Sequence, residues 1–319
     1  MVLTEWNTSE KQHQLLSLLQ KDGAGIPNNI VFDTAIRYTI EQRYPVSRMR
    51  YFSTDTDLCA TPTYAFILEE DTFSSFYVRP PPAGHERDLL HLSLKQLFDK
   101  FTSRLDKGEE MLMLSDGVTT DVLHNVLSTD LPSFIACTPC PVELFYMTDE
   151  QIQLAKQTNL PSIHGFQADS VNVERDAMTI HDNWVHSTSL QSTTARLRHV
   201  PASIVRDATT GDACAWMMSS PYGQCSNLFT IPAYRGKGLA RLAEMHLIKQ
   251  FIGYIFCIHC FSEGLRPFKY IDVDNTEAVA AARRNSLWTQ WEKRKESMDG
   301  LEATIHSSPL FYTTINTKD

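Results

Sequence analysis

Residues 231–240, IPAYRGKGLA, combine glycine and positive charge in a pattern that suits phosphate binding. Pro232 ends the preceding strand because proline has no N–H to donate to a β-ladder. Gly236 and Gly238 allow the backbone to bend sharply and to approach a ligand where a Cβ atom would obstruct it. Apolar spacing predicts a helix over 238–251, and the unpaired amides at a helix start attract an anion. The run therefore predicts a phosphate site at a strand-to-helix turn.

The spacing of this turn differs from that of the two common phosphate loops. It lacks the third glycine of the dinucleotide fingerprint, and the chain has no GxxxxGK[ST] run. It fits R-x-x-G-x-A, read as Arg235, Gly238 and Ala240, and Lys237 adds a second positive charge. A hydrophobic strand precedes the turn and an apolar-periodic helix follows it. In this context the turn resembles the acyl-CoA pyrophosphate loop of the GNAT superfamily of N-acyltransferases, and an ordinary tight turn is the structural alternative.

Several segments around the turn narrow the resemblance to the glycine N-acyltransferase family. They are DNW at 182–184, LFTIPAYR at 228–235, DVDNTEA at 272–278 and WTQW at 288–291. Members of that family join an acyl-CoA to the amine of an amino acid. The resemblance implies acyl-CoA or acetyl-CoA as co-substrate and a small amine acceptor such as glycine or another amino acid.

The order of predicted elements indicates an α/β (α+β) architecture. We predict an amino-terminal domain over 1–160 and a carboxy-terminal domain over 161–319, joined by a polar linker at 156–162. The resemblance implies that each domain is GNAT-like, with a mixed, mostly antiparallel sheet flanked by helices. It also implies that the second domain carries the acyl-CoA site and that the first lacks the loop.

Hydrophobic periodicity predicts the individual elements of both domains. In the first, helices are expected at 9–20, 32–43, 85–105 and 120–127, with strands at 63–68, 75–79 and 111–114. In the second, strands are expected at 165–173, 203–206, 213–218 and 227–231, and a further strand ends at 273. Helices are expected at 176–186, 192–197 and 276–287. Residues 309–315 are the predicted closing strand.

The resemblance also implies which residues meet the co-substrate. In the superfamily, the strand before the loop splays from its neighbour, and its backbone pairs with the pantetheine arm of CoA. Asn275 matches a position whose amide contacts that arm, and capping of the helix beginning at Thr276 is a compatible alternative. The implied cofactor-binding residues are Leu228, Phe229, Thr230, Ile231, Arg235, Gly236, Lys237, Gly238, Leu239, Ala240 and Asn275.

Amide formation needs an uncharged amine, because an ammonium group has no lone pair for attack, so a base must take a proton. The family's catalytic glutamate corresponds to Gln224, and a carboxamide cannot accept the proton as a base does. The family's tyrosine acid corresponds to Ala282. Gln224 is therefore the predicted catalytic position, although neither familiar proton-transfer group is present.

Three explanations for the missing base stay open. A slipped register would bring in another acid, yet no Asp or Glu occurs between Asp212 and Glu244. A water chain ending on His181, His186 or Asp182 would carry the proton. Alternatively, the chain binds acyl-CoA with little turnover. We favour a working but atypical enzyme, because the loop is intact and basic.

Composition limits the classes of function. The 319 residues, 42% hydrophobic and 21% charged, are typical of a globular protein with room for two cores. A net charge of -9 argues against a nucleic-acid binder. The longest apolar segment, 251–261, is too short to span a bilayer, so no membrane partner is expected. Scattered cysteines and a first segment without a secretory or Arg-rich pattern favour an intracellular location, cytoplasmic rather than mitochondrial.

Cysteine spacing does not predict a metal or redox site. Cys257, His259 and Cys260 lie too close together to form a tetrahedral cage by themselves. Cys137 and Cys140 have redox-motif spacing but lead into a strand rather than opening a helix.

We therefore compare three hypotheses for the function. The first is an acyl-CoA-dependent N-acyltransferase in which the amine attacks the thioester directly. The second is a non-catalytic acyl-CoA-binding or interaction module, which Gln224 and Ala282 favour. The third is a protein or polyamine N-acetyltransferase, which the excess of 38 acidic over 29 basic residues permits.

Overall fold

The computed structural model describes residues 3–21, 29–54, 62–70, 73–79, 86–102, 109–253, 265–291 and 310–317. The amino-terminal half contains β1 (Leu3–Glu5), α1 (Ser9–Lys21), α2 (Ile30–Ile40), β2 (Arg48–Thr54), β3 (Tyr64–Glu69), β4 (Phe73–Arg79), α3 (Arg87–Asp99), β5 (Glu110–Asp116), α4 (Gly117–Thr129), β6 (Phe134–Ala136), β7 (Cys140–Tyr146) and α5 (Asp149–Gln157).

The carboxy-terminal half follows after residue 160. It contains β8 (Phe166–Ser170), α6 (Val173–Asp182), α7 (Leu190–His199), β9 (Ala202–Asp207), β10 (Ala213–Ser219), β11 (Cys225–Thr230), a 3₁₀ turn (Pro232–Tyr234), α8 (Leu239–Gly253), β12 (Phe268–Asp272), α9 (Thr276–Arg284), β13 (Thr289–Gln290) and β14 (Leu310–Thr317).

These elements form two sheets in the described part of the chain. The larger has ten strands in the order β1-β2-β3-β4-β5-β14-β7-β12, with β6 paired to β14 and β13 to β7. The smaller has the order β11-β10-β9-β8. The pairs are antiparallel except β4 with β5, which is parallel. The predicted α/β architecture, with mixed and mostly antiparallel sheets flanked by helices, is confirmed.

The two halves exchange strands across the predicted boundary. β14, near the end of the chain, lies between β5 and β7 of the first half. In return, β7 pairs with β12 of the second half, Phe145 opposite Lys269. Ile315 of β14 is completely buried in a core formed by the amino-terminal half. The predicted closing strand therefore exists but enters the sheet of the other half, and the division at residue 160 stays a prediction.

Helix α8 packs against the smaller sheet with a continuous apolar stripe. Leu239, Leu242 and Ala243 lie in one buried cluster with Val205 and Ala215 of that sheet. Further along the helix, buried residues join a second cluster that includes Met217 and Cys225; they are Met245, Leu247, Ile248 and Phe251. This spacing of three and four residues is the helical repeat that the sequence displays. It orients the first turn of α8 toward the end of β11.

Several boundaries differ from those predicted, for local reasons. Residues 149–157 form helix α5 instead of entering the linker at 156, because Thr148 and Gln151 form a reciprocal capping box. The predicted helix at 85–105 is shorter, Arg87–Asp99. The motif of Cys137 and Cys140 leads into strand β7 as predicted, and this strand begins at Cys140. Strands β1, β2, β6 and β13 were not predicted, since their apolar runs are brief and depend on distant partners.

Candidate functional site

The smaller sheet ends in an open edge that faces β12. β11 pairs with β10 on one side, and β12 pairs with β7. β11 and β12 approach each other, and the Cys225 thiol is hydrogen-bonded to the backbone of Phe268. However, no ladder joins the two strands in the described chain. The unpaired edge of β11 therefore leaves backbone N–H and C=O groups available to a ligand in the gap between these strands, termed here the split.

A β-bulge in β11 accounts for this edge. Trp216 lies opposite Phe229 and Met218 opposite Ser226, so two β11 residues oppose one β10 residue between them. Asn227, at the bulge, has a φ of 49°. A bulge bends the strand and interrupts regular pairing. The bend therefore lies within the segment predicted to bind the pantetheine arm.

The corresponding strands of the amino-terminal half are closed. β4 and β5 flank α3 as β11 and β12 flank α8, yet they form a continuous parallel ladder from Phe73 opposite Glu110 to Tyr77 opposite Leu114. A chain cannot enter between strands whose edge groups are already hydrogen-bonded to each other. Of the two strand pairs, the carboxy-terminal one alone is split. Residues 80–85, which precede α3, lie outside the described chain.

The predicted loop has the backbone of an anion cradle. Gly236 and Gly238 have φ values of 77° and 80°, which L-residues rarely adopt. Within the described residues, the N–H groups of 236–241 have no hydrogen-bond acceptor, and α8 begins directly behind them at Leu239. Six unpaired donors at the positive end of a 15-residue helix create a favourable place for a negative ligand.

Both loop cations are held in place by neighbouring groups. The Nε of Arg235 donates to the Thr230 carbonyl at 3.1 Å, and its guanidinium carbon lies 5.8 Å from the centre of the Phe229 ring. The Nζ of Lys237 lies 5.4 Å from the ring centre of Phe166 and 5.1 Å from that of Tyr234. Both cations stay exposed to solvent. The structure thus brings the predicted arginine, lysine and glycines together.

The other predicted contact residues divide into side chains that face the core and one that is exposed. Phe229 is partly buried and stacks on Trp216 at 5.0 Å, whereas the side chain of Leu239 is buried, with 1% exposed. Leu228 is 41% exposed beside the bulge. The backbone N–H of Ile231 donates to the Cys214 carbonyl at 2.9 Å.

Asn275 caps helix α9, as the compatible alternative predicted. Its Oδ1 accepts from the backbone N–H of Ala278 at 3.2 Å. It follows β12 and lies at the carboxy end of that wall of the split. Contact with a CoA arm stays a prediction. Ala282, on the same helix, is 2% exposed and has no group that can donate a proton.

Gln224 lies where the tight turn 220–224 enters β11, and it is 7% exposed. Its Oε1 accepts hydrogen bonds from the phenols of Tyr222 at 3.0 Å and Tyr312 at 3.5 Å. The turn presses against α2 of the other half: a Cβ on Gly223 would lie 2.1 Å from the Thr34 methyl carbon. Gln224 is therefore held by two phenols of its own half, in a turn that packs against the other half.

Tyr222 and Tyr312 belong to a group of phenols that we call the tyrosine cluster: Tyr77 of β4, Tyr222 of the turn, Tyr270 of β12 and Tyr312 of β14. The rings of Tyr77 and Tyr222 are 4.6 Å apart and those of Tyr270 and Tyr312 are 6.1 Å apart. Burial raises the pKa of all four, so each stays protonated and acts as a hydrogen-bond donor at neutral pH. The sequence shows no sign of this cluster, because it forms only when strands distant in the chain come together.

Glu70 and Glu244, which act on Tyr222 and on Cys225 next to Gln224, are already paired. Glu70 accepts from Arg196 at 3.1 Å and from the phenol of Tyr44 at 3.2 Å, and the Glu70–Arg196 pair acts electrostatically on Tyr222. Glu244 of α8 accepts from Lys269 of β12 at 2.6 Å.

The three predicted ends of a water chain lie on or just after helix α6. His181 Nδ1 is 2.6 Å from the Ser187 hydroxyl, whereas His186 and Asp182 are exposed. In the described chain none of the three is hydrogen-bonded to Gln224 or to the tyrosine cluster. This route stays a prediction.

The cysteine motif at 137–140 contains free thiols. Burial and a hydrogen bond to Asp272 raise the pKa of the Cys140 thiol to about 11, which disfavours the reactive thiolate. No group of metal-binding side chains occurs among the described residues, and Cys257, His259 and Cys260 lie outside them. None of the described helices is long and apolar enough to cross a membrane.

Similar folds occur in solved structures that align with nearly the whole chain. A Drosophila protein is 15% identical over 99% of this chain and 98% of its own, with a TM-score of 0.72. A GCN5-related N-acetyltransferase from Kribbella flavida is 12% identical over 93% and 97%, with a TM-score of 0.52. A tandem GNAT protein from the clavulanic acid biosynthesis pathway is 11% identical over 99% and 98%, with a TM-score of 0.54. The chain has the tandem GNAT fold.

The GNAT fold occurs twice in the chain, once in each half. Each half is a GNAT-like unit, and the carboxy-terminal unit contains the split, the bulge and the loop. No protein-family model matches the chain, and no curated protein matches it. The narrower likeness to glycine N-acyltransferases stays a prediction from the sequence segments.

Proposed function

We propose that the carboxy-terminal GNAT unit binds an acyl-CoA, acetyl-CoA included, and transfers its acyl group to the amine of a small acceptor. The observation that supports this most is the contrast between the two units: β4 and β5 are joined by a ladder, whereas β11 and β12 are open beside a loop with unpaired amides. An extended pantetheine arm needs a strand edge, and a pyrophosphate needs anion donors. The second unit offers both.

In this proposal the chain's own groups have distinct tasks. The amides of 236–241 bind the pyrophosphate, and Arg235 and Lys237 add charge from both sides. The free edge of β11 positions the pantetheine amides and places the thioester near the bulge. The amine then attacks the thioester carbonyl carbon directly, the C–S bond breaks, and CoA leaves as its thiol after a proton is returned to sulfur. Glycine and other amino acids are acceptors that the sequence resemblance suggests.

A non-catalytic acyl-CoA-binding module is the second candidate. Gln224 and Ala282 favour it, because neither can transfer a proton. A protein or polyamine acceptor is a third variant with the same co-substrate. The three candidates differ in whether acyl transfer occurs and in the size of the acceptor, but all of them use the same loop to bind the co-substrate.

Two measurements separate these candidates. Calorimetric titration with acetyl-CoA and with CoA should show binding of both to the full chain. Release of free thiol should then follow addition of small amines from a panel. Binding without thiol release from any amine, peptide or polyamine would favour the module, and absence of binding would reject the loop assignment altogether.

A further inference from the structure

The group at the catalytic position of this site is a donor, not an acceptor. The Tyr222 and Tyr312 phenols both point their hydrogens at Gln224 Oε1, at 3.0 and 3.5 Å. The side chain therefore has only its Nε2 hydrogens left to offer a ligand. A fully protonated group surrounded by protonated phenols cannot take a proton from an incoming ammonium ion.

Neighbouring charged groups do not replace the missing base. Glu70 is engaged by Arg196 and Tyr44, and the side chains of Glu70 and Arg196 are 12% and 14% exposed. Glu244 is engaged by Lys269 and by Asn285, whose Nδ2 donates to its second oxygen at 3.0 Å. Each carboxylate is thus already engaged by a fixed cation and by a second hydrogen-bond donor.

Aromatic surface lies directly beside this position. Tyr222, Tyr270 and Tyr312 are only partly buried, and they come from a turn and two strands that meet around Gln224. The rings of Tyr270 and Tyr312 meet edge-to-face, with their centres 6.1 Å apart. Such a surface packs against a flat ring more favourably than against a small zwitterion.

From these contacts we infer that the acceptor is a weakly basic aromatic amine, which is uncharged at neutral pH and whose ring lies against the tyrosine cluster. This inference rests on the proposed function and narrows its acceptor. The amine nitrogen attacks the thioester carbon, and the C–S bond breaks. The surplus N–H proton goes to water, and the CoA sulfur takes a proton from water, so that no protein base is required.

The test compares two acceptors of nearly the same shape, 4-methoxyaniline and 4-methoxybenzylamine, with acetyl-CoA and the full chain. 4-Methoxybenzylamine, whose pKa lies about one unit below the ~10.4 of a lysine amine, is uncharged to only about one part in a few hundred at pH 7. We expect kcat/KM at pH 7 to be at least about tenfold larger for the aniline than for the benzylamine. The small uncharged fraction of the benzylamine lowers its rate more than the weaker nucleophilicity of the aniline does. Between pH 6 and 8 the aniline profile should be flat, whereas the benzylamine profile should rise about tenfold per pH unit.

A substitution then restores the base. Gln224→Glu should raise kcat/KM for 4-methoxybenzylamine and for glycine by about 100-fold at pH 7, with little change for the aniline. Gln153→Glu, the same change on an exposed position of α5, is the matched control and should alter neither value. The wild-type comparison does not depend on how the variant folds.

The outcomes distinguish this inference from the proposed function. If wild-type protein acylates the benzylamine or glycine faster than the aniline at pH 7, the inference is overturned while the transferase proposal stands. A flat pH profile for the benzylamine would overturn it too, because it would reveal a working base. Binding of acetyl-CoA without thiol release from any amine would overturn transfer itself, and the acceptor assignment with it.

Discussion

Lys269 and Glu244 form an ion pair of 2.6 Å in which the two side chains are 8% and 9% exposed. The Lys269 Nζ also lies 4.3 Å from the ring centre of Trp288, and Asn285 donates to the other Glu244 oxygen. The pair joins β12 to α8, the helix behind the loop. It therefore ties one wall of the split to the element that carries the anion cradle.

Breaking this pair on one side should be costly. Lys269→Met leaves the Glu244 carboxylate buried without its cation, and we expect the free energy of unfolding to fall by about 3–5 kcal/mol. The double variant Lys269→Met with Glu244→Leu should lose clearly less than the sum of the two single changes. Urea unfolding provides the measurement. The exposed pair Arg198–Glu174, at 3.4 Å, is the control, and Glu174→Gln should cost less than about 1 kcal/mol. A loss from Lys269→Met no larger than this control would contradict the prediction.

Reversing the loop charge should weaken CoA binding without unfolding the protein. Arg235→Glu places a negative charge beside the proposed pyrophosphate, and we expect Kd for CoA to rise by at least about tenfold in calorimetry. The loss should diminish at high salt. Arg87→Glu makes the same charge change on the exposed first turn of α3 and should leave Kd unaltered. Equal affinity of Arg235→Glu and wild type would remove the loop from the site.

The turn that carries Gly223 should tolerate no side chain. Gly223→Ala combines a φ of +84° with a Cβ 2.1 Å from Thr34 Cγ2, whereas Gly165→Ala has a φ of +80° and nothing within 4 Å. Both lose about 1–2 kcal/mol from the left-handed backbone. Overpacking should cost Gly223→Ala about 1–3 kcal/mol more, and Thr34→Ser should recover part of it. Thermal unfolding of the four proteins checks this, and equal losses at the two glycines would refute the contact.

Strand exchange predicts that residues 161–319 do not form a stable unit alone. Without the first half, β12 loses its pairing partner β7, and β14 loses its partners β5 and β7. This leaves strand edges unpaired and exposes apolar faces that are buried in the full chain. Far-UV circular dichroism and urea titration of the fragment should show no cooperative transition. Co-expression with residues 1–160 should restore one. Cooperative unfolding of the fragment alone would show that the exchange is dispensable.

Stability should decrease below pH 6.5 through His246. Burial lowers the pKa of His246 in the folded chain, with nearby Asp169 opposing, and Nδ1 lies 3.1 Å from the Ser203 hydroxyl. An unfolded imidazole takes a proton near pH 6.5. The unfolded state therefore binds more protons as the pH falls below that value, and the free energy of unfolding falls with it.

His246→Gln should flatten this dependence in urea titrations between pH 5 and 8. His124→Gln, an exposed position on α4, is the matched control and should keep the wild-type slope. If both variants retain that slope, another group causes the decline.

Local patterns in the sequence predict the loop and its supports. The glycines of the turn, Arg235, Lys237 and the apolar stripe of α8 are close in the chain, so their geometry follows from turn and helix preferences. The cap on α9 by Asn275 is equally local. A closing strand over 309–315 was predicted as well, from the order of elements that the resemblance implies.

Its destination was not predictable in this way. Contacts between residues far apart in the chain decide which sheet receives β14 and whether β11 pairs with β12. They also decide where the phenols of the tyrosine cluster meet, namely Tyr77, Tyr222, Tyr270 and Tyr312. The open split arises from a bulge at Asn227, and a bulge is a property of register between two strands. The sequence by itself determined the glycine- and cation-rich turn before α8 and the carboxamide at position 224. Only the tertiary structure decided that the gap beside that turn is open, and that the Tyr222 and Tyr312 phenols occupy the oxygen of Gln224, because strand pairing and packing are set by long-range contacts.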